Sequence, residues 1–183
     1  MKKICSIFTA FALTTLISSC GGSSSPSISE IEKISPDTLV TVEAVSTLTG
    51  VDMKIDSNGV TTDGNVTSVT YVSDPAYSGD PVTISIEQFS ESLTTQQTWN
   101  DYENSRIYRE DMEFVEGIGE DCYVAFPYIN IYDRGCYVRI SAGSGNNDEQ
   151  QQLLEDLASI AAGEVERVIP LETYNEATEN VIK

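Results

Sequence analysis

The run CYVAFPYINIYDRGCYVRISAG, from Cys122 to Gly143, is dense in β-branched and aromatic side chains and leaves the chain little choice of local structure. Strict alternation puts Cys122, Val124 and Phe126 on one face, with Cys136, Val138 and Ile140 on the equivalent face of a later segment. The opposite face carries Tyr123, Tyr132, Tyr137 and Arg139. Asp133-Arg134-Gly135 reads as a three-residue hairpin connection with glycine at a position of positive φ, and Pro127-Tyr128 as a sharper turn. The expectation is an antiparallel meander of strands near 122–126, 129–132 and 136–141.

Two further half-buried strands are expected earlier. VTSVTYV starts at Val66, and VTISIEQF starts at Val82 with Val82, Ile84 and Ile86 on one face. Ser35 or Thr41 can cap a first helix, whose shorter form runs from Val42 to Thr49 and ends at Gly50. A second is expected over about 95–108, where Leu93, Trp99, Tyr102 and Arg106 fall at helical spacing. The last follows an Asn147 cap, with Leu153, Leu154, Leu157, Ile160 and Ala161 as its apolar stripe. DSNG and TDGN mark turns around Val60. The predicted fold is a single α+β domain, an antiparallel sheet of about five or six strands packed against helices. Its predicted limits are 36–168, followed by a polar tail over 169–183.

The chain begins differently. Lys2 and Lys3 precede an apolar segment from Ile4 to Ile17, too short to span a bilayer comfortably and patterned like an export signal. Ile17-Ser18-Ser19-Cys20 resembles the bacterial lipoprotein box, with Ser19 a mild departure from the usual Gly or Ala. The resemblance implies cleavage after residue 19 and acylation of Cys20, which becomes the anchor in the bilayer. The Gly/Ser/Pro-rich stretch behind it has the composition of a flexible tether, expected over 20–35.

Composition excludes several chemistries. The formal charge is −19, and loss of the first 19 residues removes two lysines more, so nucleic acid is not an expected partner. There is no histidine, and in the mature chain, with Cys5 removed in the signal and Cys20 acylated, only Cys122 and Cys136 remain as thiols, so imidazole triads, thiol proteases and Cys/His zinc sites drop out. No metal or cofactor is expected. An exported chain tends to pair two such cysteines, yet a strand between them would hold their backbones about 9.5 Å apart. A disulfide and two buried thiols both remain open. Gly117-Ile118-Gly119 precedes a strand rather than a helix, which favours a structural turn over a phosphate loop. KIDSNG lacks the ligand pattern of an EF-hand.

Together with the lipoprotein box, TVEAVSTLTG, VEGIGEDCYV, IYDRGCYVRIS and LLEDLASIA resemble small bacterial lipoproteins with an uncharacterised outer domain, over roughly residues 36–162. A weaker similarity is to the Mog1/PsbP-like lipoproteins, an α/β/α sandwich. These resemblances imply location and fold. The expectation for function is a non-enzymatic binding or accessory domain at the outer face of the bacterial cell membrane, meeting an envelope protein or a cell-wall polymer through Tyr123, Tyr132, Tyr137 and Arg139. That tyrosine and arginine face could equally lie beneath the tether or the first helix, or serve as cross-strand pairs. The alternative is an envelope hydrolase using paired carboxylates among Glu110, Asp111, Glu113, Glu116, Glu120 and Asp121.

Overall fold

A computed structural model describes residues 31–179 other than 77, 78, 108 and 110. Cys20 and the export signal lie outside the described residues. Among the described residues five helices and eight strands follow the order α1 (Pro36–Leu39), α2 (Val42–Thr49), β1 (Met53–Ile55), β2 (Thr61–Asp63), β3 (Val66–Ser73), β4 (Val82–Gln88), α3 (Thr95–Asn104), β5 (Glu113–Phe114), β6 (Asp121–Ala125), β7 (Tyr128–Asp133), β8 (Cys136–Ala142), α4 (Asp148–Val168) and α5 (Leu171–Glu179).

All eight strands join one antiparallel sheet in the order β1-β3-β4-β8-β7-β6-β5, and β2 pairs with β3 as well. The α+β expectation stands, but the sheet exceeds five or six strands. The additional strands are β1, β2 and β5, only two or three residues each, too short to show a period. In the β7–β8 hairpin Asp133 pairs with Cys136, so the connection is the two residues Arg134-Gly135, both at positive φ, rather than three. A two-residue turn of that backbone matches the right-handed twist of its strands.

One sheet face is the main core. Val69, Tyr71, Ile84, Ile86, Ile129, Ile131, Val138 and Ile140 meet Leu39 and Val40, Val45 from α2, and Leu154, Leu157, Ala158 and Ala161 from α4. Caps set the helix starts: Thr41 Oγ1 accepts from the Ala44 N–H, and Asn147 Oδ1 accepts from that of Gln150. Gly50 closes α2 in the left-handed region. Ile160, expected in the apolar stripe of α4, is exposed.

The domain is larger than expected at both ends. Ile34, assigned to the tether, is buried, and Ile31 packs on the core. Residues 171–179, expected as a polar tail, form α5, where Ala177 is buried and Tyr174 meets Phe89 edge to face at 5.8 Å.

Candidate functional site: the uncovered half of the sheet

The other face of the sheet is divided. α3 starts with a capping box in which Thr94 and Gln97 satisfy each other's backbone N–H groups. The helix then crosses β7 and β8 and places Trp99 and Tyr102 against Tyr123, Tyr132 and Tyr137. Ring centroids are 4.9 Å apart for Trp99–Tyr132 and 5.4 Å for Tyr102–Tyr123, the geometry of a packed aromatic cluster. The Tyr132 hydroxyl donates to Thr95 O at 3.1 Å, and the Tyr123 hydroxyl shares a short hydrogen bond with Ser105.

This corrects the expected recognition patch. Tyr123 and Tyr132 are buried beneath α3, Tyr137 is half-buried, and only Arg139 is exposed. The cover is α3 rather than α1, and the tether before residue 31 lies outside the described residues. Periodicity assigned Trp99 and Tyr102 to an apolar stripe, but it carries no information on which side of a sheet a helix lands.

Beyond α3 no helix among the described residues covers this face, and its side chains are mostly small, hydroxylated and half-buried, with Arg139 exposed. Register aligns them in rows across the strands. One row runs Thr61, Ser68, Ser85, Arg139, Asn130, and the next runs Thr70, Thr83, Ser141, Tyr128. The Thr70 and Thr83 hydroxyls are 3.1 Å apart, and Ser85 Oγ donates to Arg139 O at 3.2 Å. The Arg139 guanidinium lies over the Tyr128 ring, 4.8 Å from its centroid, which presents a fixed cation on the surface.

The border with α3 is polar and partly dry. Tyr137 Oη donates to Asn130 Oδ1 at 2.9 Å. Beside it Glu87 is buried, and burial pushes its carboxyl above the ordinary range, with Asp101 of α3 adding charge repulsion and a hydrogen bond that favour the protonated form.

The remaining sequence candidates do not come together. Asp121 pairs with Arg106 at 3.3 Å, Asp111 with Arg109 at 3.2 Å, and Glu120 accepts from the Arg134 N–H. Glu113 and Glu116 are exposed, and Glu110 lies outside the described residues. Gly119 is structural, because at its positive φ a Cβ would stand 2.9 Å from Tyr132 O. Among the described residues no group of three or more His, Cys, Asp or Glu side chains is placed to hold a metal ion.

Cys122 and Cys136 are free and buried in the main core. An unbroken β7 runs between their strands, Cys122 opposite Ile131 and Ile131 opposite Val138, so the spacing that opposes a disulfide is present. Burial pushes both thiols up, Cys122 to about 12.

The arrangement defines an α+β domain with one face of its sheet half open. No family model, curated protein or solved structure matches the chain. Among the described residues no helix is long and apolar enough to cross a membrane.

Proposed function

We propose that this is a lipid-anchored protein of the bacterial envelope, held at the outer face of the cell membrane by acylated Cys20. Its folded domain binds rather than catalyses, and it does so through the uncovered half of the sheet. The observation that carries the reading is the pair of hydroxyl rows, with Arg139 held over Tyr128, on a sheet face that α3 leaves open. Neighbours within a row are one strand spacing, about 4.8 Å, apart and the rows about 7 Å apart, so the face offers repeated donors and acceptors to a hydroxylated chain.

The ligand class follows from what the face lacks and what surrounds it. The tyrosines that would anchor a protein partner are consumed by the cluster under α3. A surface of charge −19 repels a polyanion. An uncharged or sparsely charged cell-wall glycan suits both facts, with Arg139 donating to its oxygens.

Co-sedimentation with purified wall glycan, stripped of attached anionic polymers, tests the reading. Wild type is expected in the pellet, and R139A and the blocking variant T83Y in the supernatant. Binding undiminished in both variants, or no binding by wild type, would end it.

A hydrolase reading has one observation in its favour, a buried Glu87 held toward its protonated form beside Asp101 at the edge of the open face. Soluble fragments released from the glycan by wild type and not by E87Q would select that reading instead.

A further inference from the structure

The first described residues do not simply trail from the domain. Gln88, the last residue of β4, uses both ends of its amide on them. Its Oε1 accepts from the Ile34 N–H at 2.9 Å, and its Nε2 donates to Glu32 O at 2.9 Å. Residues two apart on one chain satisfied by one side chain imitate the pairing of a short strand at the sheet's end. Ile34 is buried 2% exposed between them and the core, so the segment is held by packing as well as by hydrogen bonds. Beside it lies a groove of about 500 Å³ whose lining includes Ile31, Lys33, Asn65 and Leu93.

We infer that Gln88 fixes the point at which the tether leaves the domain, and thereby turns one end of the sheet toward the lipid bilayer. The inference rests on the acylated Cys20 of the proposed function. Ten residues lie between Cys20 and Ile31, and even fully extended the eleven steps reach at most about 40 Å. The exit point is the part of the domain nearest Cys20 along the chain, and this reach keeps it within about 40 Å of the anchor.

Topology then assigns the two ends. The Gln88 end also holds the Gly64-Asn65 turn, the Arg134-Gly135 turn and the last turn of α4, where Arg134 donates to Glu166 O and Ile169 O. The far end holds Pro127, Ser144 and the start of α4. Strands of six or seven residues set the ends roughly 20 Å apart. With the first end toward the lipid, the open face stands roughly upright on the membrane, accessible from the side to a polymer outside it.

Fluorescence transfer to the bilayer reads this directly. N65C and S144C each place one reactive thiol, because Cys122 and Cys136 are buried and Cys20 is acylated. The mature acylated protein, from which Cys5 has gone with the signal, is labelled at one site and reconstituted into phosphatidylcholine vesicles carrying a headgroup acceptor dye, after intact mass has established acylation of Cys20. Stronger transfer from N65C than from S144C is expected, with that difference lost in Q88A while the domain's thermal transition is kept. Equal or reversed transfer from the two sites would overturn the orientation. A difference that survives Q88A would overturn the role of Gln88. A mass without acylation would instead remove the anchor, which is a failure of the proposed function and is distinguished before any transfer is measured. Amide exchange supplies a second readout, since the Ile34 N–H is expected to exchange faster in Q88A than in wild type, and an unchanged rate contradicts the clamp.

Discussion

Asp133 sits at the β7–β8 turn with 4% of its surface exposed, and its Oδ2 has no hydrogen-bond partner among the described residues. Burial is the main cause that pushes its carboxyl up to about 6; Glu120 and Glu166 add to the rise and Arg134 opposes it. The folded protein therefore holds this proton more tightly than the unfolded chain, whose aspartates titrate near 3.8. The resulting stabilisation is fully present below that value and is lost as pH rises through about 6. Urea midpoints should fall for wild type between pH 4 and pH 7, and fall less steeply for D133N, which is expected to be the more stable of the two at pH 7. Parallel curves for the two proteins would contradict the assignment. The cysteines give a second test at this scale. With both thiols buried and raised, alkylation by an aqueous maleimide should proceed only as fast as the domain unfolds. Rapid labelling of the native protein would place one of them at the surface.

α3 is the element that decides what the sheet can present. Trp99 is the chain's one tryptophan and lies in the cluster beneath the helix, so its fluorescence reports α3 docking specifically. W99A should destabilise the domain by about 2 kcal/mol, below the range for a fully buried aromatic because Trp99 is half-buried. Y102F should be neutral or stabilising, since the buried Tyr102 hydroxyl has no partner among the described residues. A large loss in Y102F would show that the hydroxyl is satisfied. The α5 helix makes a comparable contribution through Tyr174 on Phe89, and Y174A should cost about 1–3 kcal/mol in chemical denaturation. An unchanged midpoint would mean that α5 only lies alongside the core. Elements with strong local signals were legible in the sequence: α2 spans Val42–Thr49 as its Thr41 cap and Gly50 stop dictate, and β3, β4 and β6–β8 lie within a residue or two of their alternating runs. What escaped were contacts made by tertiary packing. β1, β2 and β5 are too short for a period, α5 is polar enough to resemble a frayed tail, and the apolar stripe of α3 carries no information on which side of the sheet it covers.

At the scale of the whole molecule, the helices cover one face of the sheet fully and the other by half. α1, α2 and α4 shield the main core, α3 shields the aromatic cluster, and a strip of serine and threonine with Arg139 remains. The candidate site was thus only partly legible: Arg139 was identified, while Thr70, Thr83, Ser85 and Ser141 carry no sequence signal beyond strand alternation. The Gln88 contacts fix where the chain enters the domain, at the end of the sheet that holds the Gly64-Asn65 and Arg134-Gly135 turns. The proposed place of the protein at the membrane depends on the anchor at Cys20, so the most direct test is the intact mass of the protein extracted from its native membrane. The account predicts a chain that begins at Cys20 and carries diacylglycerol, with or without a further acyl group on the new N-terminus. An unacylated chain would contradict it, making the protein freely secreted and removing the bilayer from its function.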